Sequence, residues 1–126
     1  MKPYAQPEQF DELVLSAIED LPDELLDFLE NVAIVVEEWP DRAVLDSVGV
    51  RKRSELLGLY QGIPQTERTH GYNLVMPDKI SIYRRPILMR CRSEQDVFEM
   101  VQRVLRHEIA HHFGIDDDRL TEIGAY

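Results

Sequence analysis

Apolar side chains recur at helical spacing in three parts of the chain. Residues 7–21 and residues 23–30 each carry apolar positions three or four apart, which predicts two amphipathic helices near the N-terminus. The same spacing over Glu94–Phe113 predicts the longest helix of the protein. Ser93 is a natural N-cap for that helix and Gly114 a natural terminator.

Strand patterns lie between these helices. Residues 31–39 contain a β-branched run, residues 56–61 form a second candidate strand, and residues 79–84 alternate apolar and polar positions. We expect residues 40–49 to be a connector that holds a short helical turn around Ala43 to Leu45. Pro86 should end the last strand or mark an edge. The order of helix, helix, three strands and helix predicts an α+β fold with a small mixed or antiparallel sheet, in a single domain over residues 1–126.

The long helix carries the candidate chemistry close to its C-terminal end. His107 and His111 are four residues apart, so both imidazoles project from one face and can bind one metal ion. Glu108 lies beside the first histidine, within reach of a metal-bound water, where a general base is needed. The HExxH spacing therefore predicts one zinc ion per chain with His107 and His111 as ligands.

A third protein ligand would leave the fourth zinc position for water. Gly114 can adopt positive φ and turn the chain back toward the metal. Asp117 then stands at the offset of the third ligand in the pattern HExxHxxGxx(H/D). Asp117 is the favoured ligand, and the alternatives are Asp116, Asp118 and Glu122.

Other polar residues have simpler interpretations. One of the three aspartates 116–118 is expected to cap a short final helix. His112 falls off the ligand face and is expected to be a packed or surface residue. Three further residues are candidates for a substrate or oxyanion contact, and the sequence does not choose among them: His70, Tyr72 and Tyr83.

Composition and charge limit the partners. The chain has 126 residues, 44% of them hydrophobic and 30% charged, with a formal net charge of −10. Such a chain should repel phosphate backbones, so we expect no nucleic-acid partner, and the arginines of the cluster 84–92 should be solvated. We expect no membrane association, because the apolar runs are too short and residues 1–11 lack a signal pattern. With a single cysteine, Cys91, expected to be an inert thiol, a cytoplasmic location is the default.

In its HExxH helix and the strand before it, the chain resembles the small zincin-like metallopeptidases of bacteria. The segment from His107 to Leu120 is similar to their HExxHxxGxxD signature, and residues 79–87 resemble the strand that leads to their active-site helix. The resemblance implies a minimal zincin fold, with a small sheet packed against the active-site helix. It also implies zinc held by His107, His111 and Asp117, with Glu108 as the catalytic acid/base. The chain departs from the broader HExxHxxGxxH enzymes, since Asp replaces their third His and no methionine turn follows.

The leading hypothesis is a zinc-dependent metallopeptidase that acts on a peptide or protein substrate. Zinc would activate a water molecule and Glu108 would accept its proton. Residues 79–84 are the candidate edge strand for aligning the substrate backbone. The alternatives are a non-catalytic zinc-binding domain that holds a partner protein and a metal-free module with an acidic binding surface. The sequence leaves the oligomeric state open.

Overall fold

The computed structural model describes residues 3–62 and 77–122, without the side chains of Pro3 and Asp117. The described residues form these elements in chain order: α1 (Pro7–Glu19), α2 (Asp23–Phe28), β1 (Val32–Glu37), α3 (Arg42–Val48), β2 (Gly58–Gln61), β3 (Asp78–Tyr83), α4 (Arg84–Leu88), α5 (Glu94–Phe113) and α6 (Asp117–Glu122). Short 3-10 turns occupy Pro3–Ala5 and Arg53–Glu55. The fold is α+β, as the patterns predict.

The sheet is mixed, with the strand order β1-β3-β2 in the described part of the chain. β1 runs parallel to β3, and β2 runs antiparallel to it. The prediction that residues 79–84 form an edge strand is therefore wrong, because β3 is paired on both sides. Its side chains are buried accordingly, with Ile80 and Ile82 fully inaccessible. The edge that adjoins α5 belongs to β2.

Helix α5 has the bounds that the sequence predicts. At its start the hydroxyl of Ser93 accepts a hydrogen bond from the Asp96 N–H at 3.1 Å. At its end Gly114 adopts the left-handed conformation, with φ at 68°. That conformation costs glycine little because it has no Cβ. The HExxH segment thus lies on a helix whose two ends are both fixed by local chemistry.

The main core lies between α5, the sheet and α1. Buried side chains that α5 contributes include Val97, Val101 and Leu105, and α1 contributes Phe10, Val14 and Ala17. Gln102 also donates from its side-chain amide to the Ala17 carbonyl at 3.2 Å. Helix α1 is therefore an integral support of the helix that carries the HExxH residues.

Arg84 corrects a prediction about the arginine cluster. It is buried, with 4% of its surface exposed, whereas the sequence predicts a solvated residue. Its guanidinium donates to both carboxylate oxygens of Glu38, with a shortest distance of 2.7 Å, and to the Ala5 carbonyl. The alternation in residues 79–84 predicts a strand with one buried face, but Ser81 and Tyr83 are buried as well as Ile80 and Ile82. Nor does such a pattern show which distant carboxylate pairs with a buried cation.

The connections between elements differ in detail from the prediction. Pro86 lies in the first turn of α4, where its missing N–H leaves no internal helical bond unmade, and not in the sheet. The helical turn expected around Ala43 to Leu45 is part of a longer helix, since α3 spans Arg42–Val48 between an Asp41 N-cap and a Gly49 C-cap. No helix in the described part of the chain is long and apolar enough to span a bilayer.

Candidate metal centre and catalytic carboxylate

Two imidazoles stand side by side on the last turns of α5. The ring centroids of His107 and His111 are 4.7 Å apart, with an angle of 32° between their planes. Both residues are exposed, so neither ring is enclosed by the core. The i, i+4 spacing on a regular helix places the pair on one face, as the sequence predicts.

Glu108 is held against the sheet edge. It is half-buried, and its Oε1 accepts a hydrogen bond from the Tyr60 backbone N–H at 2.8 Å. The Tyr83 N–H donates to the Leu57 carbonyl at 2.9 Å, so the backbone groups of Leu57 face β3. Because these groups alternate along a strand, those of Gly58 and Tyr60 point away from β3. The carboxylate thus binds the outward side of the edge strand.

A close approach of β2 to α5 makes this contact possible. A Cβ added to Gly58 would lie 2.5 Å from Val104 Cγ1 and 2.9 Å from the Ser81 carbonyl oxygen. Both distances are shorter than real Cβ contacts allow, so the strand can lie this near the helix only with glycine at position 58. A glycine within a predicted strand is a sequence signal that could have pointed to this contact.

The predicted third ligand is placed only by its backbone. Asp117 is the first residue of α6, one short turn beyond Gly114, and its side chain lies outside the described residues. Asp116 accepts from the Arg119 N–H at 2.8 Å, which confirms that one of the aspartates caps the final helix. Glu122 pairs with Arg119 at 3.2 Å. Among the side chains that the structure describes, no three His, Cys, Asp or Glu residues form a metal-binding group.

His112 packs against the edge strand, as expected, and not beside the other two histidines. Its ring stacks on that of Tyr60 with centroids 3.8 Å apart and planes 13° from parallel. The Tyr60 hydroxyl donates to Asp78 Oδ2 at 2.8 Å, and His112 Nε2 lies 4.0 Å from the same oxygen. Phe113 meets both rings edge-on. The sequence gives no signal that joins Tyr60, Asp78 and His112, because these residues are far apart along the chain.

Open hollows lie on both sides of His107. One of about 330 Å³ runs between the start of β2 and α5, and Gly58, His107 and Glu108 are among the residues that line it. The other, of about 510 Å³, lies toward α6 and is lined in part by His111, Ile115 and Leu120. Arg103 borders both hollows. His107 therefore stands between two open hollows, the first of which reaches the sheet edge.

The candidates for oxyanion contact fall into two groups. His70 and Tyr72 lie outside the described residues. Tyr83 is 1% exposed, and burial raises the pKa of its phenol. Tyr83 is not among the residues that line the two hollows beside His107.

The histidine pair fits a zinc ion in donor type and in spacing. Imidazoles bind zinc at about 2.0–2.1 Å, so two of them on one tetrahedral ion have ring centroids about 5 Å apart. The observed separation of 4.7 Å needs only a small side-chain adjustment to match. The exposure of both rings leaves room for the remaining ligands.

A helix that presents two imidazoles and an intervening carboxylate beneath a sheet edge is typical of zinc-dependent hydrolases. The model of the zincin-like metallopeptidase family matches residues 29–125, so this chain belongs to that family. A comparison with curated proteins gave no match. The matched residues contain the whole sheet and helix α5.

Proposed function

We propose that this protein is a zinc-dependent peptidase whose general base is Glu108. The observation that carries the proposal is the hydrogen bond of 2.8 Å from the Tyr60 N–H to Glu108. It holds a carboxylate at the sheet edge, one residue along the helix from His107. A base fixed between a metal-binding pair and a strand edge is placed to act on a backbone that lies along that strand.

His107, His111 and Asp117 would hold the metal. The imidazole pair supports the first two assignments by its spacing. Asp117 is supported by its offset from Gly114 and by the competing roles of its neighbours, since Asp116 caps α6 and Glu122 pairs with Arg119. Bound zinc would supply Lewis acidity, which lowers the pKa of water and polarises a carbonyl.

Glu108 would carry the proton through the reaction. One of its oxygens accepts a proton from the attacking water while the water oxygen bonds to the scissile carbonyl carbon. The same carboxyl group then gives that proton to the leaving nitrogen as the C–N bond breaks. The products are a carboxyl group and an amine, and Glu108 returns to its ionised form.

Strand β2 would align the substrate backbone in place of the strand that the sequence predicts. Its outward backbone groups belong to Gly58 and Tyr60, and the Tyr60 N–H already binds Glu108. A substrate strand would therefore pair chiefly at Gly58, which is buried in the free protein but lines the same hollow as His107 and Glu108. Pairing there brings a peptide bond next to the carboxylate.

The first test is the metal content of the purified protein beside its His107→Ala and Asp117→Ala variants. We expect about one zinc per chain in the wild type and none in either variant. Absence of metal after zinc is supplied in excess would refute the zinc site and leave an acidic interaction module. Loss of zinc in His107→Ala but not in Asp117→Ala would reassign the third ligand.

The second test compares the wild type with Glu108→Gln on a library of random pentapeptides, with mass spectrometry of the products. Glutamine keeps an oxygen that accepts from the Tyr60 N–H, so the variant should fold and hold zinc while turnover falls by about 10²–10⁴-fold. Zinc binding without turnover by the wild type would favour a non-catalytic zinc-binding domain.

A further inference from the structure

The third histidine of the helix, His112, is not a ligand in the proposed site, yet its ring contacts Tyr60 and Phe113 beside that site. The His112 ring lies flat on Tyr60 at a centroid distance of 3.8 Å, and its Nε2 is 4.0 Å from an Asp78 oxygen. Its side chain remains 38% exposed, so burial of the imidazole itself does not explain the arrangement. The contacts instead converge on Tyr60.

Tyr60 is held at its ring, its hydroxyl and its backbone. The ring is covered by His112 and met edge-on by Phe113 at 5.8 Å. The hydroxyl donates to Asp78 on the neighbouring strand β3 at 2.8 Å. The backbone N–H of the same residue donates to Glu108. A displacement of the Tyr60 ring is therefore transmitted to the group that holds the carboxylate.

We propose that His112 is a positioning residue, which fixes Glu108 by stacking on Tyr60 and so locking the edge strand against helix α5. The inference rests on the proposed function, because it assigns Glu108 the role of general base. His112 and Glu108 lie on the same helix but contact different parts of Tyr60, its ring and its backbone. Helix and strand are thus joined at two points, which restricts both the distance and the rotation between them.

Such a restraint is needed because the proposed base, Glu108, is held by a short edge strand. Tyr60 lies near the end of β2 and Gly58 at its start, and β2 has β3 as its one strand neighbour in the described part of the chain. A short edge strand with one partner opens more readily than a central strand. Because an error of about 1 Å in the position of a catalytic group lowers the rate by about 10²-fold, the edge must be held in place. The stacked rings supply that restraint.

The experiment measures hydrogen exchange of the Tyr60 amide by NMR in the full-length, zinc-loaded protein. Glu108→Ala gives the exchange rate with the hydrogen bond absent. In His112→Ala we expect exchange to accelerate by at least about tenfold toward that rate. His112→Phe keeps a flat ring on Tyr60 and should retain most of the protection. Glu99→Ala, an exposed change on the same helix, is the matched control and should leave the rate unchanged.

The same variants are assayed for zinc content and for kcat and KM on a peptide cleaved by the wild type. His112→Ala should lower kcat by about 10–100-fold while KM and zinc content change less than about twofold, and His112→Phe should restore kcat. The proposal is wrong if His112→Ala leaves either the Tyr60 exchange rate or kcat at the wild-type value. It is also wrong if both His112 variants lose zinc, since that would make His112 a ligand.

The proposal can still be tested if His112→Ala does not fold or if the wild type has no peptidase activity. If His112→Ala does not fold, Tyr60→Phe tests the same set of contacts, because it keeps the stacked ring and removes the hydroxyl bond to Asp78. We expect the backbone amide at position 60 to exchange faster in that variant than in the wild type. An unchanged exchange rate would contradict the proposal. If the wild type has no turnover, the proposed peptidase function fails. The exchange data then still decide whether His112 holds the contact between Tyr60 and Glu108.

Discussion

A buried guanidinium must find acceptors for its donors, and Arg84 finds them in two separate segments. Glu38, just beyond β1, accepts from it with both oxygens, and the Ala5 carbonyl belongs to the N-terminal 3-10 turn. The hydrogen bond from Arg84 holds the pKa of the Glu38 carboxyl below its ordinary value. The charge of a half-exposed glutamate is thereby coupled to folding.

The sign of that coupling predicts acid sensitivity. A lowered folded-state pKa stabilises the protein above the unfolded-state value, which is about 4.3 for Glu, and the stabilisation is lost as the pH falls through the folded-state pKa. Replacement of Glu38 by Gln should lower the free energy of unfolding at pH 7 by up to about 1 kcal/mol, because buried Arg84 loses its ionised partner while solvent screens the half-exposed Glu38 carboxylate. Urea titrations at pH 7 and pH 3 should show this difference shrinking in acid. Glu37→Gln, an exposed neighbour, is the control, and a difference that does not depend on pH would contradict the assignment.

The Cys91 thiol should be unreactive toward alkylating reagents in the native protein. Burial raises the pKa of its thiol to about 11, so almost none of it is thiolate near neutral pH. We expect alkylation by iodoacetamide at pH 8 to be at least about a hundredfold slower in the folded protein than in urea. Mass spectrometry of the time course measures both rates, and similar rates would show that the thiol is accessible.

Among the elements, the contact between β2 and α5 decides the geometry of the candidate site. Gly58 lets the strand approach Val104, and Tyr60 then reaches both Glu108 and His112. The site is therefore a property of a strand and a helix together, although the motif that identifies it lies wholly on the helix.

Gly58→Ala should separate these two elements. Its Cβ would overlap Val104 and a backbone carbonyl that cannot easily move, so we expect a loss of about 1–3 kcal/mol in unfolding free energy. Gly62→Ala is the matched control, because the nearest atom to its Cβ would be 3.6 Å away, an ordinary contact. Thermal or urea unfolding of the two variants gives the comparison. Equal stability would show that the strand can shift without cost.

Local sequence patterns predicted the helices and strands well, but they did not predict which strands pair or which helix contacts which strand. Ser93 and Gly114 fix the ends of α5 by short-range hydrogen bonding and backbone preference, which a single sequence contains. The place of β3 at the centre of the sheet depends on which strands meet, and alternation of side chains carries no such information. For the same reason His107, Glu108 and His111, which lie close together in the sequence, could be proposed as a site, whereas the contacts of Tyr60 and Asp78 with the helix could not.

At the scale of the whole molecule, a metal bound at α5 would stabilise the entire fold. A ligand that binds only the native state adds about 2.7 kcal/mol at a hundred times its dissociation constant. We expect the melting temperature to rise with zinc and to fall again with EDTA. His107→Ala should abolish the effect and His112→Phe should keep it. A melting temperature that does not respond to zinc or chelator in the wild type would contradict the proposed site.

The packing of α1 on α5 determines which fragments of this protein can fold on their own. The family match begins at residue 29, but Phe10, Val14 and Ala17 of α1 and Leu25 of α2 are buried before that point. Removal of a buried large apolar side chain costs about 1.5–3 kcal/mol, so loss of Phe10, Val14 and Leu25 together would consume most of a small domain's stability. A recombinant fragment of residues 29–125 should therefore be insoluble or lack a cooperative melting transition by circular dichroism, whereas the full chain melts cooperatively. The start of the family match and the folding boundary of this protein therefore do not coincide, and the helix that carries the histidines packs on residues that lie upstream of the match.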